Sequence, residues 1–246
     1  KHSIYMQKSK KQVFCICLFI FALISLSGCG GSSSPVIRSG VVAIGAPLAN
    51  SLVTVTDSNG ATKTTVVNSD GTYNIDLQGM TAPFIFRVTG DMGSTPVSYS
   101  AGSTGAENTV NITPITDAAL ASLKSDYDTR LATPADVNAA SLSAATNNIM
   151  TSLRSVANSV GYTGNGTGNE AFVADGTGLD ALLDAVSFER TSSGVVMSNK
   201  LKVLTDSATP EKTVLTSSAG VSSLSATFST PEGNLTGKLN GLKDKL

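Results

Sequence analysis

Asn68-Ser69-Asp70-Gly71-Thr72-Tyr73-Asn74-Ile75-Asp76-Leu77 is the stretch whose reading decides the fold. Tyr73, Ile75 and Leu77 alternate with Asn74 and Asp76, so one face is apolar and the other polar, the period of a half-buried strand. Ser69-Asp70-Gly71 ahead of them is a turn, with Gly71 free to take a positive φ. The same pattern recurs outward in both directions. Val53 and Val55 alternate with Thr54 and Thr56, Ile85 and Val88 flank Phe86 and Arg87, and Thr109-Val110-Asn111-Ile112 alternates again. Asp57-Ser58-Asn59-Gly60 and Gly90-Asp91-Met92-Gly93 supply further turns. Short strands spaced by about ten residues predict a small antiparallel β-sandwich.

The order of these residues carries a resemblance. Gly40-Val41-Val42 and Gly45-Ala46-Pro47-Leu48 lead into Ser51-Leu52-Val53-Thr54-Val55, followed by Asn59-Gly60 and Asp70-Gly71-Thr72-Tyr73. This run resembles the carboxypeptidase regulatory-like domain. The resemblance covers residues 38–113 and implies a transthyretin-like sandwich of about seven strands that serves as a stalk or binding module, with no catalytic residues. Asp57, Asn59, Asp70 and Asp76 are conceivable calcium ligands. Their positions are those of turn residues, and neither turn has the alternating acids and distal Glu of a calcium loop.

At Thr113-Pro114-Ile115-Thr116-Asp117 the period changes. Leu120, Leu123, Tyr127 and Leu131 recur every three or four residues and predict one amphipathic helix. Thr133-Pro134-Ala135-Asp136 reads as the start of a second, with Leu142, Ile149, Leu153, Val156 and Val160 on its stripe and Gly161 as its stop. The pair predicts a helical hairpin. Gly164-Asn165-Gly166-Thr167-Gly168 lacks the lysine of a phosphate-binding loop and is expected to be a mobile connection. Asp175-Gly176-Thr177-Gly178-Leu179-Asp180 opens a short helix, with Thr177 and Asp180 at capping-box spacing. Asp175, Asp180, Asp184 and Glu189 are the densest acidic group. Paired carboxylates suit a glycosidase or a cation site, but charge at the start of a helix also belongs in solvent. Val186 to Arg190 and Lys200 to Leu204 predict strands around Ser193-Gly194, and the stretch from Ser217 reads as a loose tail or a last strand. The expected fold class is therefore α+β: a sandwich, a helical hairpin and a mixed α/β C-terminal segment.

The beginning of the chain has another character. Lys8, Lys10 and Lys11 precede an apolar run from Val13 to Leu26. As a helix this run spans about 21 Å, short of the ~30 Å hydrocarbon core of a bilayer, which favours a signal peptide over a membrane span. Leu26-Ser27-Gly28-Cys29 closes it. The pattern resembles the lipobox of bacterial lipoproteins. That resemblance implies cleavage after Gly28 and lipid attachment at Cys29. Since the sequence opens on Lys1, Met6 is the expected start. Gly30 is not the Asp that holds lipoproteins at the inner membrane, so the outer membrane is favoured in a Gram-negative cell. The expected organisation is a signal peptide over residues 1–28, a flexible tether over 29–37, the sandwich over 38–113 and the helical and mixed segment over 114–246.

Composition narrows the chemistry. Four of the 17 basic residues and none of the 18 acidic ones fall in residues 1–28, leaving 13 against 18 and a net charge of −5 downstream. That disfavours nucleic acid as a partner. The only histidine is His2, Cys15 and Cys17 lie in the apolar run, and there is no tryptophan. Beyond residue 28, a Ser-His-Asp triad, a Cys-His pair and a His-ligated zinc are thereby excluded. The expectation is a non-enzymatic surface lipoprotein without a cofactor, bound to a membrane through its lipid and to an envelope protein or glycan through its body. The alternatives are a glycan hydrolase using the paired carboxylates and a small-ligand or cation binder with a pocket between the two modules.

Overall fold

The computed structural model describes residues 34–201, 211–218 and 221–229. The expected signal segment, the cut after Gly28, Cys29, the strand expected over 202–204 and the tail beyond 229 lie outside them. The described chain is α+β, mostly strand, with antiparallel sheets and three α-helices. No described helix is long and apolar enough to cross a membrane. The described residues from Pro35 onward form one compact unit.

The N-terminal half holds β1 (Ile37–Val41), β2 (Leu52–Asp57), β3 (Thr62–Val66), β4 (Thr72–Asp76), β5 (Phe84–Met92) and β6 (Thr95–Ser103). One sheet has the order β3-β2-β5-β6, and β1 pairs with β4 in another. The segment around Val110 runs parallel to β1, with Ile112 N donating to Val41 O at 2.9 Å. Gly40 permits this approach: a Cβ there would stand 1.9 Å from Val110 O. One hydrophobic cluster draws on both sheets. Val53, Val55, Phe84, Phe86 and Val88 meet Val42, Tyr73, Ile75, Val110 and Ile112. Burying one large aromatic such as Phe86 is worth roughly 1.5–3 kcal/mol.

The run Phe84-Ile85-Phe86-Arg87-Val88 is nearly continuous in apolar residues because β5 is covered on both faces. Phe84, Phe86 and Val88 point into the cluster shared by the sheets, while Ile85 packs with Leu120 and Ala132. On that second face Arg87 donates to the carbonyls of Thr129 and Ala132. A helical layer therefore lies on this sheet.

That layer begins with α1 (Pro114–Ala121), which Thr113 and Thr116 close with a reciprocal capping box. All eight of its residues are buried. Sequence periodicity extends this helix to Leu131, but it ends at Ala121. Asp126 accepts from Asp128 N and Asp128 from Arg130 N, local turns that compete with the helical ladder. Tyr127 takes φ 54° and Leu131 is 63 % exposed. The second helix also starts later than the Thr133-Pro134 signal. Thr133 and Asp136 cap a single 3-10 turn, and α2 (Ala139–Ser159) begins behind Asn138, whose side chain accepts from Ser141 N at 3.0 Å. Gly161 follows its end at φ 79°, as a helix stop requires.

The third helix, α3 (Gly178–Ala185), runs directly into β7 (Val186–Thr191). With β8 (Gly194–Asn199), β9 (Glu211–Ser218) and β10 (Val221–Leu224) it forms a sheet of order β10-β9-β8-β7. The strand expected from Lys200 lies earlier, over Gly194–Asn199, and Lys200-Leu201 turn into helix instead. Asn199 Oδ1 accepts from Leu201 N and so turns the chain there. Ile149, Leu153 and Val156 of α2 join Leu182, Val195, Met197 and Leu215 in a second core. After β10 the chain returns along α2, where Ser152 Oγ donates to Ala226 O and Asn148 Nδ2 to Ser222 O.

Candidate functional site

The acidic residues of the N-terminal turns are engaged with backbone. Asp57 accepts from the N–H groups of Asn59, Ala61 and Thr81. Asp70 accepts from the N–H and the hydroxyl of Thr72, and Asp76 from Val36 and Gln78 N–H. The bond from Thr81 chiefly lowers the pKa of Asp57, that from the Thr72 hydroxyl lowers Asp70, and that from Gln78 N–H lowers Asp76. This is turn chemistry. Among the described residues, no group of three or more His, Cys, Asp or Glu side chains is placed to hold a metal ion.

The second acidic group is dispersed by its environment. Asp175 caps its own turn by accepting from Thr177 N and Oγ1. Thr177 makes no side-chain cap to α3, so the capping box expected with Asp180 is not formed. Asp180 is 2 % exposed instead of facing solvent, and its Oδ2 accepts from Gly176 N at 2.6 Å. Asp184 packs on the turn at Gly45, where a Cβ would lie 2.4 Å from its Oδ1. Glu189 is exposed on β7. A substrate has no access to a carboxylate as enclosed as Asp180.

The Gly164–Gly168 loop is tied down rather than loose. Gly164 O accepts from Arg154, Gly166 N donates to the Tyr162 hydroxyl, and Gly168 O accepts from Asn111 N. Tyr162 also hydrogen-bonds Glu170, and burial with that neighbour raises its pKa.

A largely enclosed ion pair lies elsewhere, between Asp117 and Arg190. β6 and β7 are each the last strand of a sheet, so their outward N–H and C=O groups lack a neighbouring strand. Asp117 Oδ1 accepts from Ser100 N at 2.8 Å, and Arg190 donates to Ser98 O at 3.0 Å. One carboxylate and one guanidinium thus stand in for a strand along the edge of β6. They pair with each other at 3.2 Å, and the Thr129 hydroxyl bonds both. Asp117 is 3 % exposed, and burial pushes its pKa up to about 6 against the opposing pull of Arg190, Thr129 and Ser100. Clefts of about 470 and 530 Å³ flank Arg190. Reading the sequence missed this pair. The available signal was an Asp inside Pro-Ile-Thr-Asp-Ala-Ala-Leu-Ala, a helix with no polar face on which to expose it.

A further cavity of about 250 Å³ lies between β6, the 104–110 connection, α1, the first turns of α2 and the 167–169 loop. Among the described residues Glu107 is its one charged lining residue, and Thr116, Ser143 and Thr146 contribute hydroxyls. Glu107 accepts from Ser103 Oγ, Thr104 Oγ1 and Gly105 N. No family model, no curated protein and no solved structure matches this chain.

Proposed function

We propose that this chain is a non-enzymatic lipoprotein of the bacterial cell envelope. Cys29 carries the lipid, and the folded body works as a binding or structural module toward an envelope protein or glycan. The observation that carries this reading is Leu26-Ser27-Gly28-Cys29 behind a lysine-flanked apolar run. Lipid attachment is firm when two or more acyl chains are present, the arrangement the lipobox resemblance implies. Two antiparallel sheets with one shared core support a β-sandwich of the carboxypeptidase regulatory-like kind in the N-terminal half. The absence of His and Cys from the sequence beyond Cys29 supports a role without His- or Cys-dependent nucleophilic or metal chemistry.

Growth with labelled palmitate tests the anchor. The wild-type chain takes up label and partitions into detergent, with the outer membrane as its fraction in a Gram-negative host. The Cys29→Ser variant takes up none and accumulates uncleaved. A wild-type chain that is cleaved but carries no label ends this reading.

A further inference from the structure

We propose that the cavity between β6, α1 and α2 is a binding site for a small hydroxylated primary amine, of which an amino sugar is the representative class. This rests on the reading of the body as a non-catalytic binding module and names the ligand that module takes.

The lining decides the charge of the occupant. Among the described residues its single charged lining side chain is Glu107, with no Lys or Arg. Burial pushes the Glu107 carboxyl up, but hydrogen bonds from Ser103, Thr104 and Gly105 outweigh it, and the group stays below the usual carboxylate range. The site therefore presents a negative charge in a partly enclosed space. An anion entering it would meet that charge with no cationic side chain among the described lining residues.

The hydroxyls decide the hydrogen-bonding character. Thr104 Oγ1 donates to Glu107 Oε1 at 2.9 Å, Thr146 Oγ1 to Leu142 O at 2.9 Å, and Thr116 Oγ1 to Thr113 O at 3.0 Å. Each hydroxyl has one proton to give. With those protons committed to the protein, Thr104 and Thr146 offer lone pairs to anything in the cavity, while Thr116 Oγ1 already accepts from Thr113 N. Those acceptors beside a carboxylate suit a ligand's N–H donors, and the Thr109, Ser143 and Thr167 hydroxyls and the Asn169 amide, which donate as well as accept, suit its hydroxyls. A primary ammonium makes charge-assisted bonds of this kind. A quaternary ammonium does not, and no Phe, Tyr or Trp among the described residues lines the space to form the aromatic cage that would recognise one.

Size agrees. Ala101, Gly102, Ala119 and Ala139 line the cavity with minimal side chains, leaving about 250 Å³. That is below the roughly 300–1,000 Å³ of sites for drug-sized ligands and suits one sugar ring. Ser143 is exposed and lines the cavity from the first turns of α2.

The test is calorimetric titration of the full chain, purified in mild detergent, with glucosamine as the probe and glucose, N-acetylglucosamine and choline alongside. Glucosamine is expected to saturate with a Kd in the millimolar range or below. It should also slow hydrogen exchange in peptides covering residues 101–109 and 139–146. Glucose and N-acetylglucosamine are expected to bind at least about tenfold more weakly and choline not measurably, as the loss of a charged hydrogen bond implies. Glu107→Gln should weaken glucosamine by about tenfold or more. Ser143→Phe, which leaves the Glu107 bonds intact, should abolish binding by filling the cavity. No saturation by glucosamine, equal binding of glucose, or binding that survives Ser143→Phe overturns the proposal. None of these outcomes bears on palmitate uptake at Cys29, so the anchor stands or falls separately.

Discussion

In the N-terminal half, Asp57, Asp70 and Asp76 spend their carboxylates on nearby N–H groups at turns, and the pKa of each is lowered. Where the two halves meet, Asp117 is enclosed, faces Arg190 from a distant part of the chain, and has its pKa raised to about 6. The first half is thus organised by local chemistry, in which an Asp and the N–H groups it holds are mostly two to four residues apart. The junction is organised by a long-range pair that closes the edge of β6. The difference teaches where the fold is self-evident from short sequence patterns and where it depends on distant segments arriving together.

Core truncation should have the largest effect on this comparison. Phe86→Ala in the first core is expected to cost about 3–5 kcal/mol and Leu153→Ala in the second about 2–5 kcal/mol. Ile85 packs with Leu120, and Arg190 reaches Ser98. Both variants should therefore lower a single shared unfolding transition, read by urea titration with circular dichroism and by hydrogen exchange in each half. Two transitions, of which each variant moves one, would divide the body into independent domains.

Arg190→Ala comes next. It removes the counter-charge and leaves Asp117 enclosed, with an expected loss of about 3 kcal/mol at pH 7.5. Protonating Asp117 relieves that charge, so the loss should shrink toward pH 5. In the wild-type chain, Asp117 binds its proton more tightly folded than unfolded. Its contribution to stability is complete below pH 3.8 and is lost as pH rises through about 6. The turn carboxylates work with the opposite sign: their contribution is present above about pH 3.8 and is lost on acidification through their lowered values. Asp117→Asn should therefore flatten the stability profile between pH 4 and 6, while Asp57→Asn should change it only in stronger acid. Identical profiles for the two variants would erase the contrast between the halves.

The smallest effect is at a helix end. Asn138→Ala removes the cap of α2 and is expected to cost about 1 kcal/mol, visible as a small drop in thermal midpoint with no change in the pH profile. A negligible change would place the start of α2 under the control of packing rather than capping.

Much of the first half was legible because its strands carry period-two alternation and its turns carry Asp and Gly. Val53, Val55, Tyr73 and Ile75 all point inward as their spacing implies. The middle of α2 was equally legible from Ile149, Leu153 and Val156. The candidate site was not. The acidic residues that are dense in sequence, Asp175 to Glu189, are pulled apart by burial, a turn and a strand, and the lining of the cavity comes from five separate segments.

By itself the sequence determined an α+β body with an alternating-strand half, an amphipathic second helix and the chemistry excluded by the lack of His and Cys beyond Cys29. Those properties follow from side-chain period and residue type, which act over a few positions. Only the tertiary structure decided that α1 stops at Ala121, that β9 and β10 extend a sheet begun by β7, and that Asp117 meets Arg190. The physical reason is that desolvation and edge pairing depend on what lies alongside in space. Asp117 and Arg190 are far apart in the chain, and neither carries a local mark of its partner.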